Sequence, residues 1–344
     1  MMRIAVLGVA HLHADAYIAN LRRSAAEVVG VYDWDADRAS WWGRKFGVSV
    51  FTDLATLLGA GVDGVVICAE TRYHCELVEA AAEAGAAVLC EKPLGVTSQD
   101  SRRIVDVCAG KEVPLMTALP VRFSPAVRQV RDLVADGELG RIRAFCGTNQ
   151  SRMPMDERSW FADPVLAGGG AIMDHVVHLA DAFTWIMGAE PEQVYAVSNR
   201  VVHPESVTVE TSGLVMVTYP GEVFASIDCS WNRPLNYPTW GGLALSVVGD
   251  GGTLDVDPGK QRLTQFGGPD KYSWVPWDMD TNQLMIDEFL DSIEVGREPL
   301  VTGDDGLSTT LVALAALEST RTGEPVTLAQ FGSDTHGERD REKG

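Results

Sequence analysis

Short runs rich in Val, Ile and Leu alternate with helical patterns through the first third of the chain, and this alternation commits it to a parallel sheet. The periodicity predicts strands over 3–8, 28–33, 63–69 and 87–91 and helices over about 13–24, 36–46 and 74–85. The runs Ile4-Ala5-Val6-Leu7 and Val65-Val66-Ile67-Cys68 are apolar without a break, as expected of strands covered by helices on both faces. A helix over about 97–109 and a strand near Leu115 to Ala118 continue the pattern, giving five of the strands of an expected six-strand doubly wound sheet.

After Pro120 the texture changes. A polar helix from Ser124 to Asp136 leads to a turn at Gly137 to Gly140, and longer alternating stretches follow, such as 214–219 and 223–228. These read as antiparallel, half-exposed strands with hairpin turns at Pro220-Gly221 and at 249–252. Helices are expected over about 171–187, 280–294 and 304–321, with a frayed polar tail from Gly332 to Gly344. Lys and Arg total 28 against 48 Asp and Glu, a formal charge of −20 that argues against a nucleic-acid partner. No run approaches the ~18 apolar residues of a membrane span, and the start at Met1 enters a strand directly, so a cytoplasmic, unanchored protein is expected. Cys68, Cys75, Cys90, Cys108, Cys146 and Cys229 are scattered without a C-x-x-C pair, which predicts reduced core residues.

Gly8-Val9-Ala10-His11-Leu12-His13 stands where a dinucleotide fold places its phosphate-binding turn, between the first strand and the first helix. Gly8 is the glycine retained from G-x-G-x-x-G; Ala10 is a mild departure, and His13 is large. Asp33 ends the second strand near the ~20-residue spacing at which a carboxylate accepts from the adenine ribose. It is followed by Trp34 rather than an Arg, so NAD is expected over NADP. A turn-forming acid is the competing reading of Asp33.

Two segments carry chemistry. Cys90-Glu91-Lys92-Pro93 puts a lysine at the carboxyl edge of the parallel sheet, where ligands bind in open α/β folds. Pro93 allows a cis bond at low cost, and like charge from a nicotinamide disfavours protonation of a neighbouring amine. The other is Gly168-Gly169-Gly170 followed by Asp174, His178 and Asp181, which fall at i, i+4 and i+7 on one helical face. A carboxylate one turn before a histidine can orient its ring and raise its basicity, and histidine is well suited to removing a hydroxyl proton. The glycines are expected to let substrate or cofactor approach the first turn. A buried polar cluster and a divalent-metal site are the competing readings, and no metal is expected.

Glu91-Lys92-Pro93 together with G-G-G-A-x-x-D-x-x-x-H-x-x-D at 168–181 resembles the glucose-fructose oxidoreductase / inositol dehydrogenase (Gfo/Idh/MocA) family. The resemblance extends over nearly the whole chain. His74 sits in the loop after the fourth strand, and 121–125 with 137–140 is similar to the family's domain junction. It implies an α/β fold: an N-terminal Rossmann dinucleotide-binding domain over 1–120 and a C-terminal α+β domain over 121–332 with a large, mainly antiparallel open sheet, then a tail over 333–344. It further implies hydride transfer between a secondary hydroxyl of a sugar, cyclitol or polyol and NAD. Lys92, Asp174 and His178 match the family's catalytic positions: His178 as base, Lys92 bonding the same hydroxyl, and Asp174 orienting the pair. Gly8, Ala10, His11, Leu12, Asp33, His74, Glu91 and Lys92 are then the cofactor-binding candidates.

His11 and His13 either pack the first helical turn or contact pyrophosphate or substrate, and His175 is expected to face away. Arg152, Arg158, Trp160, Trp231, Asn232, Arg233, Tyr237 and Trp240 cluster in two turn-rich stretches suited to sugar faces and hydroxyls; Arg122 joins the substrate-binding candidates. The same aromatic and basic set suits a subunit interface, and a homodimer or homotetramer is expected. Redox-assisted elimination or glycoside cleavage without net redox change is the alternative activity, and a non-catalytic NAD(H) or sugar sensor a second alternative.

Overall fold

The computed structural model describes residues 1–154, 156–257, 262–266, 272–276 and 280–331, so the predicted tail lies outside the described residues. The chain order is β1 (Arg3–Val9), α1 (Ala14–Arg23), β2 (Glu27–Tyr32), α2 (Ala36–Phe46), β3 (Val50–Phe51), α3 (Leu54–Leu58), β4 (Gly64–Cys68), α4 (His74–Glu83), β5 (Ala87–Cys90), α5 (Ser98–Gly110) and β6 (Leu115–Thr117). These strands form one parallel sheet in the order β3-β2-β1-β4-β5-β6. Its strand order reverses beside β1, which puts a ligand crevice at the carboxyl ends of β1, β4 and β5. Along β1, Ile4 and Val6 enter one buried cluster while Ala5 and Leu7 enter another, which is why the run is apolar at every position.

The second half comprises α6 (Pro125–Ala135), β7 (Ile142–Arg152), α7 (Ala171–Met187), β8 (Gln193–Asn199), β9 (Ser212–Tyr219), β10 (Val223–Arg233), β11 (Gly241–Gly249), β12 (Thr253–Val256), β13 (Arg262–Phe266), β14 (Tyr272–Pro276), α8 (Thr281–Val295), α9 (Gly303–Thr322), β15 (Val326–Thr327) and α10 (Leu328–Phe331). Seven strands form a sheet in the order β12-β11-β7-β10-β9-β8-β15, antiparallel throughout except for the parallel β7–β10 pair. The inner face buries Phe145, Val215, Val217, Ala225 and Ile227 against α7. The outer face leaves Tyr195, Val197, Leu214, Met216 and Phe224 exposed. Cys146 is exposed there too, a departure from the core position expected of it; all six cysteines are free.

The last helices do not stay with the second sheet. α8 packs on α1, where Ser24 and Gln283 bond Asp287 and Gln283 also bonds Ser24, and its Phe289 and Ile293 lie over Gly64 of β4. α9 lies against α5, β6 and α7, with Gly303 on Leu115 and Gly306 on Thr117. The buried cluster containing Ile4 and Val6 therefore runs without a break into the core of the second sheet. Among the described residues, no helix is long and apolar enough to cross a membrane.

Candidate active site

The turn after β1 is shaped by Gly8, at φ +71°, where a Cβ would come within 2.5 Å of Ala69 Cβ and 2.8 Å of Ala69 N. Replacing Gly8 with Ala combines a strained backbone with a clash against β4. The expected cost is roughly 2 kcal/mol or more, read by chemical denaturation. α1 starts at His13 with no side-chain cap, which leaves the positive end of the helix at the β1–α1 turn, as an anion site requires. Asp33 ties the turn down by accepting from Val9 N at 2.8 Å. These features fit a dinucleotide.

Other expected cofactor contacts are altered. Both Asp33 oxygens are already used: Oδ2 accepts from Val9 N and Arg38 Nε, and Oδ1 from Asp35 N and Arg38 Nη2. Arg38 also bonds Glu70 at 3.0 Å. The guanidinium that Trp34 does not provide thus arrives from α2, and the sequence argument against NADP loses its footing. His74 is fully buried, with Nδ1 facing the carbonyls of Pro93 and Leu94 and Nε2 that of Ala69. It braces the turn carrying Lys92 and does not line the crevice. Trp160 donates to the carbonyl of Ala10 at 3.2 Å, and it packs with Ala10, Phe161 and Leu12 on the phosphate turn. It is thus committed to that turn rather than to a sugar.

At the end of β5, the Lys92-Pro93 peptide is cis. The Lys92 ammonium donates to Asp174 Oδ1 at 3.0 Å and to the Asp174 carbonyl at 2.9 Å, joining the parallel sheet to the first turn of α7. Asp174 Oδ2 accepts from Trp231 Nε1 at 3.0 Å and lies 3.6 Å from His175 Nε2. Burial alone would raise this carboxyl, but His175, Lys92 and the Trp231 bond hold it well below the usual carboxylate range. Asp174 therefore fixes Lys92, and its oxygens go to Lys92 and Trp231 rather than to His178. Trp231 is fully buried and offers no face to a sugar. His175 does not face away: its Nε2 meets Ser151 Oγ at 3.0 Å beside Asp174.

His178 lies one turn on, with Nδ1 buried and lacking a hydrogen-bond partner among the described residues. Burial, reinforced by Lys92, holds its pKa well below the ordinary imidazole value, so it is neutral at physiological pH. Across the crevice, Glu91 is fully buried; His13 Nδ1 meets its Oε1 at 2.8 Å. Burial opposes ionisation of Glu91, but His11, His13 and Lys92 outweigh it and keep the carboxyl far below its usual value. His11 is pushed down to about 3, chiefly by burial.

The rest of the predicted set divides. Asp181 is turned away from Asp174 and His178 to Arg122, whose Nε donates to it at 2.9 Å. Arg122 also donates to Asp305 at 2.7 Å and is itself buried, so it is a junction residue, not a substrate ligand. Burial pushes Asp181 up to about 7 against the pull of Arg122. Arg152 bonds the Tyr237 carbonyl, Arg233 lies 4.4 Å over the Tyr237 ring, and Arg158 4.8 Å over Trp240. Arg152, Arg158, Arg233 and Tyr237 are half-buried, and Trp240 is exposed. The glycine triplet admits protein rather than ligand: a Cβ on Gly170 would sit 2.0 Å from the Glu210 carbonyl oxygen. Glu210, which no sequence pattern singled out, accepts from Gly170 N and Ile172 N and so fixes the start of α7.

A model described as an oxidoreductase family with an NAD-binding Rossmann fold matches residues 2–119, and one described as the GFO/IDH/MocA C-terminal domain matches residues 127–255. A D-apiose dehydrogenase of Paraburkholderia graminis is 28% identical, covering 94% of this chain and 88% of its own. A myo-inositol 2-dehydrogenase of Thermotoga maritima is 26% identical, covering 96% and 99%. The crystal structure of GenD2 from gentamicin A biosynthesis in complex with NAD superposes with a TM-score of 0.86 at 22% identity, covering 95% of this chain and 96% of that one, a likeness of fold.

Proposed function

The chain belongs to the Gfo/Idh/MocA family of NAD-binding oxidoreductases, and from that premise we propose that it oxidises a secondary hydroxyl of a sugar, cyclitol or related polyol, or reduces the corresponding ketone. The observation that carries this reading is the Lys92 ammonium, held by two hydrogen bonds to Asp174 at the carboxyl edge of the parallel sheet, with neutral His178 one turn further along α7. A nicotinamide dinucleotide held at the Gly8 turn would supply the hydride acceptor or donor. His178 accepts the hydroxyl proton during oxidation, and Lys92 donates a hydrogen bond to the same oxygen as negative charge develops there. Asp174 is a positioning residue: it fixes the ammonium and is itself fixed by Trp231. Arg152, Arg233 and Tyr237 supply hydroxyl and ring contacts at the mouth. The test is NADH formation at 340 nm by purified protein over a panel of sugars and cyclitols; no turnover with any member, in either direction, overturns the reading.

Cofactor choice turns on Arg38. With Asp33 neutralised by a two-pronged guanidinium, a 2′-phosphate meets Arg38 rather than a bare carboxylate. NAD is accepted and NADP is tolerated. Replacing Arg38 with Ala frees the Asp33 charge, and is expected to shift the kcat/KM ratio about 10–100-fold toward NAD, the worth of one charged hydrogen-bond pair. An unchanged ratio in steady-state kinetics would sink this assignment.

The exposed row Tyr195, Val197, Leu214, Met216 and Phe224 forms one apolar sheet face, which we assign to pairing with a second copy of the chain. Light scattering should give twice the chain mass for the native protein. Changing Met216 and Phe224 together to Asp should halve it; a native monomer would refute the assignment.

A further inference from the structure

The departures His11 and His13 in the phosphate turn bring three ligand-type side chains together. A donor atom from each of His11, His13 and Glu91 lies within 4.8 Å of the others, and this is the one such group among the described residues. A tetrahedral zinc site with bonds of ~2.0–2.1 Å separates its ligand atoms by about 3.3 Å, so closure draws His11 inward while His13 Nδ1 and Glu91 Oε1, 2.8 Å apart, part slightly. The hydrogen bonds add a second observation. His11 Nδ1 accepts from the His13 backbone N–H at 3.2 Å, which leaves that nitrogen without a proton. It lies 3.6 Å from Glu91 Oε1, so its lone pair needs only to turn from the His13 N–H to share a cation with that oxygen. The carboxylate is fully buried; its Oε2 accepts from Lys92 N at 3.1 Å, but the Lys92 ammonium, the nearby fixed cation, bonds Asp174 instead. Buried charges are paired or coordinate a metal.

We propose that His11, His13 and Glu91 bind one first-row divalent cation of the zinc class at the junction of the β1–α1 turn and the end of β5. Imidazole nitrogens and one carboxylate are the ligand set of many zinc sites with an open position. Tyr17, whose buried hydroxyl also hydrogen-bonds Glu91, supplies the outer contact. His13 Nδ1, which donates to Glu91 in the metal-free protein, gives up its proton on binding. The inference is independent of the proposed dehydrogenase reaction and is tested without cofactor or sugar.

The experiment titrates chelator-treated full-length protein with Zn²⁺ in a calorimeter, in two buffers of different ionisation enthalpy, and with Co²⁺ by visible absorption. One equivalent should bind with proton release, and Co²⁺ should show the intense bands of low coordination number. His13→Asn and Glu91→Gln should each weaken binding by at least about 100-fold, the upper limit for loss of an outer contact. His203→Asn, an exposed histidine in the segment between β8 and β9, should change nothing. If Glu91→Gln fails to fold, His13→Asn carries the test, because that ring is a quarter exposed. Absence of binding, or one-equivalent binding that survives the His13 replacement, overturns the proposal.

Discussion

Replacing Lys92 with Met should lower kcat for polyol oxidation by about 10²–10⁴-fold, the range that positioned proton transfer contributes, while leaving the affinity for the dinucleotide within a few-fold. Met keeps the length of the side chain and removes the donor that Asp174 holds at 3.0 Å. His178→Asn should lose a similar factor, and the double variant should lose little more, since the two groups act on one oxygen. The pH profile separates the roles. Burial and the Lys92 charge together depress the His178 pKa, so the native enzyme keeps its base unprotonated, and its oxidation rate intact, to a pH well below 6.5. Removing the Lys92 charge lets the imidazole pKa rise, and the acid limb of kcat/KM in the Lys92 variant should move to higher pH. Full turnover by both single variants, or a limb that moves down, would refute the assignments.

Arg122→Ala should destabilise the fold by about 3–5 kcal/mol, because it leaves the fully buried Asp181 without its cation. Arg122 joins three elements: it precedes α6, donates to Asp181 on α7, and donates to Asp305 in the first turn of α9. Its guanidinium also lies 5.6 Å from the Trp185 ring centre. Asp305 closes a capping box with Thr302, so loss of Arg122 loosens the start of α9 as well. Calorimetry reads the change. A protein whose stability is unmoved by this substitution would return Arg122 to the substrate candidates. The measurement is independent of turnover, so it separates a junction role from a catalytic one.

The parallel sheet was legible because an apolar strand buried on both faces leaves its mark residue by residue, as in Ile4 to Leu7. The two-residue strand Val50–Phe51 had no such mark, being too short for a pattern. Lys92, Asp174 and His178 were legible as residue types at an edge and at helical spacing, but their bonding was not. Asp174 could be placed beside His178 by its i, i+4 relation; its preference for Lys92 and Trp231 depends on chain segments 82 and 57 residues away. Arg122 reads in sequence as a polar residue in a turn, and its partners lie 59 and 183 residues on. The triplet Gly168 to Gly170 looked like room for a ligand, whereas its absent side chains accommodate Val96, Met173, Leu317 and Glu210. Space left by glycine is visible in a sequence; what fills it is not.

The path of α8 and α9 bears on how such a protein can be recombined. Because these carboxyl-terminal helices complete the packing of α1, β4 and β6, the dinucleotide half is not a transplantable module ending near residue 120. A chimera grafting residues 1–120 onto a relative's substrate half would mate foreign helices with Gly64, Leu115 and Thr117, and productive exchange requires residues 281–322 to travel with the amino-terminal segment.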